Sequence, residues 1–207
     1  MISKKNKIIF VHVPKTGGSS IEKCFVNIFD ENISVNGDQT IVKGGLKKPK
    51  KNSFNSLKHA TAEELKLQYG EEIFNDYVKF SVVRNPWDRL LSLYYWSAGK
   101  SKPYNKKLFI NNFLPKEPDN SPRSVWTLNK YLCDKEDNLL VDNLINFDDL
   151  NNSFNDFCVK NNLGKKKLPH INARKIQKVG YKDIMDKEVI EMIGEYYKKE
   201  INKFWNE

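Results

Sequence analysis

The sequence predicts an α/β domain built on a central parallel sheet flanked by helices, and three observations lead there. Short apolar runs rich in Ile, Val and Phe stand at 7–13, 77–83 and 144–147. Around them the apolar residues fall at helical spacing, so strands alternate with helices and the simplest connections are crossovers within a parallel layer. Finally, 207 residues, 39% of them hydrophobic and 12% aromatic, suffice for one ordinary core. Residues 1–207 therefore read as a single domain, with insertions near 30–57 and 100–124.

The first strand, 7–13, is bounded by Pro14. Gly17-Gly18 make a turn, and Ser19-Ser20-Ile21-Glu22 opens a helix. Ser19 three residues before Glu22 is a capping-box pattern, and Ile21, Cys24, Phe25 and Ile28 supply one apolar stripe. Residues 30–56 are polar, with Lys43, Lys47, Lys48, Lys50 and Lys51 clustered, and read as an irregular insertion. Thr61-Ala62-Glu63-Glu64 is a second capping box, which starts a short helix just after His59. The strand at 77–83 ends at Arg84. Pro86 suits the first turn of the next helix, where its missing N–H is not needed, and Leu90, Leu91, Tyr94 and Tyr95 form that helix's core face. Residues 100–124 read as loop with a short helical piece, 124–132 as helix, 144–147 as strand and 151–160 as helix. Asp186 caps a last helix whose Val189, Ile190, Ile193, Tyr197, Ile201 and Phe204 recur at helical spacing.

Composition narrows the function. Lys and Arg number 35 and Asp and Glu 26, a net charge of +9 that favours anionic partners without choosing among them. No apolar run reaches the ~20 residues of a membrane helix, and the stretch 8–11 is too short for a signal-peptide core. Three widely spaced cysteines, Cys24, Cys133 and Cys158, suggest neither a disulfide framework nor a zinc knuckle. They fit buried, reduced thiols in a cytoplasmic protein.

Strand, Pro14-Lys15-Thr16-Gly17-Gly18-Ser19-Ser20, helix is an anion-binding arrangement. The glycines let successive N–H groups turn toward one oxyanion, and the helix that follows adds its unpaired N–H groups and the positive end of its dipole. Lys15 contributes a full charge, and Thr16, Ser19 and Ser20 offer hydroxyl donors. Lys15 precedes the glycines, whereas the triphosphate loop G-x-x-x-x-G-K-[ST] places Lys after them, so a magnesium-triphosphate site is disfavoured. A second segment, Arg84-Asn85-Pro86-Trp87-Asp88-Arg89-Leu90-Leu91-Ser92, also runs from strand end to helix start. Arg84 leaves its strand at the carboxyl end, where ligands of open α/β sheets sit, and its guanidinium can hold a phosphate through two parallel hydrogen bonds. Ser92, four residues after Asp88, projects from the same helix face.

Taken together, the stretch from Phe10 through Ser20 and the stretch from Arg84 through Tyr94 resemble the paired signatures of sulfotransferases that use 3′-phosphoadenosine 5′-phosphosulfate (PAPS). The likeness is to the carbohydrate sulfotransferases of the Golgi chondroitin, dermatan and heparan type and their soluble bacterial relatives. Lys58-His59-Ala60-Thr61 resembles the histidine segment of that family, residues 144–150 its strand-plus-acid segment, and residues 168–172 its late loop. The resemblance implies a P-loop-NTPase-like three-layer sandwich. It also implies that Lys15, Thr16, Gly17, Gly18, Ser19 and Ser20 hold the 5′-phosphosulfate, and that Arg84 and Ser92 hold the 3′-phosphate. The acceptor implied is a hydroxyl, on a saccharide, and the reaction needs no metal.

Sulfuryl transfer, like phosphoryl transfer, passes a charged group in line between two oxygens through a loose transition state, so positioning and charge stabilisation carry it. Lys15 suits the leaving oxygen. For the base, His59 precedes a capped helix in a polar stretch and is the leading candidate. His170 in the late loop, His12 in an apolar strand and the carboxylate of Glu63 are the alternatives. Between Asp156 and Asp183 there is no acidic residue but eight basic ones, either a solvated face or, at Arg174 and Lys175, a portion that closes over the nucleotide as in the resembled family. Trp126 and Tyr94 could stack on adenine but suit a core better. Two other classes compete: a nucleotide or small-molecule kinase on a related fold, and a nucleic-acid-binding protein suggested by the charge alone. The latter lacks any helix-turn-helix, zinc-finger or aromatic RNA-binding signature. Nothing in the chain points to the oligomeric state.

Overall fold

A computed structural model describes residues 1–28, 33–36, 39–42, 45–46, 57–99, 102–114, 121–169 and 180–205. His170, Arg174 and Lys175 lie outside the described residues. The chain groups into two compact units.

The first unit, Met1–Val83 with Asn129–Ile171, holds the sheet. Its elements are the strands Ile2–Ser3 (β1) and Ile8–Val11 (β2), the helix Gly18–Ile28 (α1), and the strands Ile33–Asn36 (β3), Gln39–Val42 (β4) and Gly45–Leu46 (β5). A 3₁₀ turn, Leu57–His59, leads to the helices Ala62–Tyr69 (α2) and Glu71–Asp76 (α3) and the strand Val78–Val83 (β6). The described residues form a seven-stranded sheet in the order β5-β4-β3-β1-β2-β6, closed by the strand Asn143–Asn146 (β7). The β2, β6 and β7 strands run parallel, as the alternation of strands and helices predicts. The sheet as a whole is mixed, because β1, β3, β4 and β5 add on antiparallel.

Those last strands correct the expectation of an irregular insertion at 30–56. Ile33, Val35, Thr40, Ile41 and Val42 are β-branched and carry the strands, while the surrounding lysines hide them in the average composition.

Both faces of β2 and β6 are buried, as inner parallel strands require, while the edge strand β7 buries only Ile145. Ile8 and Phe10 of β2 and Phe80 and Val82 of β6 join one core with Ile21, Cys24 and Phe25 of α1. Phe154, Phe157 and Cys158 complete it from Leu150–Lys160. Phe10 lies opposite Phe80 in register, their rings 4.8 Å apart. Cys24, Cys133 and Cys158 are all buried free thiols, as the cysteine spacing predicts. No helix among the described residues is long and apolar enough to cross a membrane.

The second unit, Arg84–Leu128 with Asn172–Glu207, is helical. It contains Pro86–Ala98 (α4) and Lys106–Phe113 (α5), and the chain returns to the first unit through Leu128–Leu132 (α6). In chain order Leu150–Lys160 is α7, and Lys187–Tyr196 (α8) and Lys198–Phe204 (α9) end the described chain. Leu90, Leu91, Tyr94 and Tyr95 of α4 pack with Phe109, Val189, Ile193 and Tyr197. Tyr94 is core, its hydroxyl bonded to Pro103 and Asn105, and the Trp126 indole donates to the Ser121 carbonyl.

Two expected helices are broken. Residues 124–132 divide into a 3₁₀ turn, Arg123–Val125, and α6. The carbonyls of Val125 and Trp126 accept from Tyr197 and Arg89 instead of from a continuing helix. The last helix divides at Tyr197, and the Asp186 side chain makes no capping hydrogen bond.

Candidate active site

The anion turn begins where β2 ends. Thr16 is fully buried and its hydroxyl donates to the Val13 carbonyl at 2.8 Å, which folds the turn on itself. Lys15 has φ +67° and Gly17 φ +84°, so left-handed residues alternate with ordinary ones. Backbone of this kind forms a concavity of N–H groups suited to an anion. Holding a lysine there costs strain of order 1–3 kcal/mol.

Neither glycine admits a Cβ without a neighbour shifting. A Cβ at Gly17 would lie 2.8 Å from Leu150 Cδ2 and 3.3 Å from Phe147 Cε2. A Cβ at Gly18 would lie 2.0 Å from His12 Nε2. α1 starts at Gly18 rather than after Ser19, so the predicted Ser19–Glu22 capping box is absent and Ser19 and Ser20 stand in the first turn. Ser20 is buried and its N–H donates to the Gly17 carbonyl.

Glu22 is free of that capping role and turns inward. Its Oε1 accepts the Nδ1–H of His12 at 2.9 Å and its Oε2 accepts from Lys58 Nζ at 3.0 Å. Burial alone would raise its pKa, but His12 and Lys58 together hold it down to about 2. Burial keeps the His12 imidazole neutral, its pKa lowered despite the carboxylate beside it. The His12 ring also stacks on Phe10 at 5.3 Å, so it is the core histidine its apolar strand suggests.

His59 closes this cluster from the 3₁₀ turn. Its Nδ1 lies 3.0 Å from the main-chain oxygen of His12, and its ring meets the His12 ring edge-on at 4.5 Å. A carbonyl can only accept, so Nδ1 carries the proton and Nε2 keeps the lone pair. Burial and the neighbouring His12 push the His59 pKa down to about 4. The predicted Thr61 capping box is present in full: Glu64 N–H donates to the Thr61 hydroxyl, and Thr61 N–H to the Glu64 carboxylate. It fixes the chain two residues after His59.

In the second unit, Arg84 stands half-buried directly after β6, and α4 starts in a defined way just beyond it. Asn85 Oδ1 accepts the Asp88 N–H at 2.8 Å and Pro86 fills the first turn. The residues between Arg84 and Ser92 are anchors. Trp87 donates its indole N–H to the Ile190 carbonyl and stacks on Tyr181 at 5.3 Å. Asp88 accepts the Tyr181 N–H at 3.3 Å. Arg89 is fully buried, bonded to the Trp126 carbonyl and 3.9 Å from Glu200 Oε2. Burial pushes the Glu200 carboxyl up to about 7. Ser92 is half-buried on the same helix.

The sequence reading missed Glu22, Lys58 and the Arg89–Glu200 pair. For Glu22 a signal existed: an acid directly beside Ile21 and three residues before Phe25 faces the core. Arg89 and Glu200, 111 positions apart by numbering, carry no local signal.

A sequence model of the sulfotransferase family matches residues 1–205. No curated protein and no solved structure matches the chain.

Proposed function

Because the chain belongs to the sulfotransferase family, we propose that it moves the sulfuryl group of PAPS to a hydroxyl of a saccharide acceptor on a P-loop-like α/β scaffold. The observation that carries this reading is the turn after β2, where a left-handed Lys15 and two closely packed glycines shape a backbone concavity at the start of α1. Lys15, the loop N–H groups and the hydroxyls of Ser19 and Ser20 receive the 5′-phosphosulfate. Thr16, its hydroxyl donating to the Val13 carbonyl, shapes the turn. Arg84 and Ser92 receive the 3′-phosphate, and Arg174 and Lys175 serve the same nucleotide.

The acceptor oxygen attacks sulfur as its proton passes to Nε2 of His59, and the bond from sulfur to the phosphate oxygen breaks. Lys15 and the loop amides stabilise the charge left on that oxygen. His59 is suited to the base role because its Nδ1–H is committed to the His12 carbonyl, which puts the lone pair on Nε2. The lysines clustered at 43–51 favour an acidic glycan as acceptor.

Titration of the purified protein with 3′-phosphoadenosine 5′-phosphate (PAP) and with ATP tests the donor. Micromolar binding of PAP with far weaker binding of ATP is expected. Magnesium-dependent preference for ATP would replace this reading with that of a kinase.

A further inference from the structure

We propose that Glu22 is a positioning residue for His59, a single buried carboxylate that holds both ends of the hydrogen bond orienting the base. The inference rests on the sulfuryl-transfer reading, which supplies the base's role. The geometry itself is independent of that reading.

The hydrogen bond in question joins His59 Nδ1 to the carbonyl of His12. Its acceptor directly follows β2 and its donor belongs to the 3₁₀ turn Leu57–His59, two residues 47 positions apart. Each is tied to Glu22. Oε1 takes the ring N–H of His12, the acceptor residue, and Oε2 takes the ammonium of Lys58, the donor's neighbour. Glu22 is 7% exposed, and both of its oxygens are engaged by groups that flank His59. A carboxylate with one arm would tie itself to one segment alone. With two, the distance between the turn and the strand is set.

The same clamp reaches the anion turn. The His12 ring that Glu22 grips lies against Gly18, closely enough to exclude a Cβ there. The base and the first residue of α1 are therefore referenced to one ring. Proton transfer requires heavy atoms within hydrogen-bond reach, and misplacement of about 1 Å can cost ~10²-fold in rate. The lone pair must also sit on Nε2, which holds only while Nδ1 keeps its carbonyl partner.

Proton–nitrogen correlation NMR of the histidine rings tests this without any nucleotide. The chain has three histidines, so His59 is assignable by substitution. In the wild-type protein at neutral pH, His59 is expected as a single form with its proton on Nδ1. In Glu22→Ala, and to a lesser degree in Glu22→Gln, which keeps an acceptor for His12 but repels Lys58, its nitrogens shift toward the average of both tautomers. Turnover falls in the same order. Lys58→Met, which frees one arm at the surface and leaves the His12–Glu22 contact, is expected to shift them too and serves if the Glu22 variants do not fold. A merely structural Glu22 would lower the melting temperature and leave the tautomer alone. A wild-type His59 protonated on Nε2, or a His59 unchanged by these substitutions, overturns the proposal. A wild-type protein that binds no PAP overturns the reaction reading alone.

Discussion

His59 donates its Nδ1–H to the main-chain carbonyl of His12 across 3.0 Å, which leaves Nε2 as the one basic nitrogen of that ring. The bond assigns the tautomer, and burial with a low pKa keeps the ring neutral. His59→Ala removes the proposed base and leaves the residues of the anion turn in place. Turnover is expected to fall by about 10²–10⁴-fold, the usual worth of a positioned base, with PAP affinity nearly intact by calorimetry. Unaltered turnover would take His59 out of the reaction.

Arg84 is assigned to the 3′-phosphate, so its loss should be felt only by nucleotides that carry one. A charge-assisted hydrogen bond is worth roughly 1.5–3 kcal/mol, or about 10- to 150-fold in affinity. Arg84→Ala is therefore expected to weaken PAP by that factor and to leave adenosine 5′-phosphate binding where it was. Equal losses for both ligands would show that Arg84 acts on the turn's structure or on the 5′ end instead.

Gly18 separates packing from conformation. No left-handed φ is recorded for it, so an alanine there meets only the His12 ring, 2.0 Å from the new Cβ. That ring is held by Glu22 and Phe10 and has little room to move. Gly18→Ala is expected to cost about 1–3 kcal/mol, the range of an overpacked core, measured by urea denaturation. Gly180→Ala is the control: its φ is −73° and the nearest atom to a Cβ is a carboxylate oxygen at 3.7 Å. A Gly18 variant as stable as that control would mean that His12 yields easily.

The parallel strands and the glycine turn before α1 were legible because both are local. Apolar runs of β-branched residues, punctuated by Pro14 and by Gly17-Gly18, read the same in one dimension as in three. The Thr61–Glu64 cap was legible for the same reason. Ser19 and Glu22 show the limit, since the same spacing can serve a capping box or can occur inside a helix that began earlier. What decided between them was His12, ten residues upstream and invisible to any local rule. The strands β3 to β5 were lost to averaging over a lysine-rich stretch. Arg89 reads as a surface charge on a helix because its partners, Trp126, Tyr197 and Glu200, arrive from distant parts of the chain.

That last pair makes stability depend on pH in a direction unusual for a glutamate. Glu200 Oε2 accepts the Leu128 N–H and faces Arg89, yet burial dominates and raises the carboxyl pKa from 4.5 to about 7. Tyr197, whose own pKa is pushed up by burial, stays neutral beside it. The folded chain thus keeps the Glu200 proton over a window in which the unfolded chain has released it. The stabilisation is complete below pH 4.5 and is lost as pH rises to about 7, with a slope of at most about 1.4 kcal/mol per pH unit for one proton. His12 and His59, neutral in the fold, act in the opposite sense and remove stability as pH falls below 6.5. The comparison must therefore be made against a variant. Glu200→Gln keeps an acceptor for Leu128 and titrates nowhere in this range. Urea denaturation across pH 5 to 8 should show the wild-type protein losing stability relative to Glu200→Gln as pH rises, with the gap closing toward acid. Parallel curves would mean that Arg89 holds Glu200 ionised throughout, and that the pair is an ordinary buried ion pair.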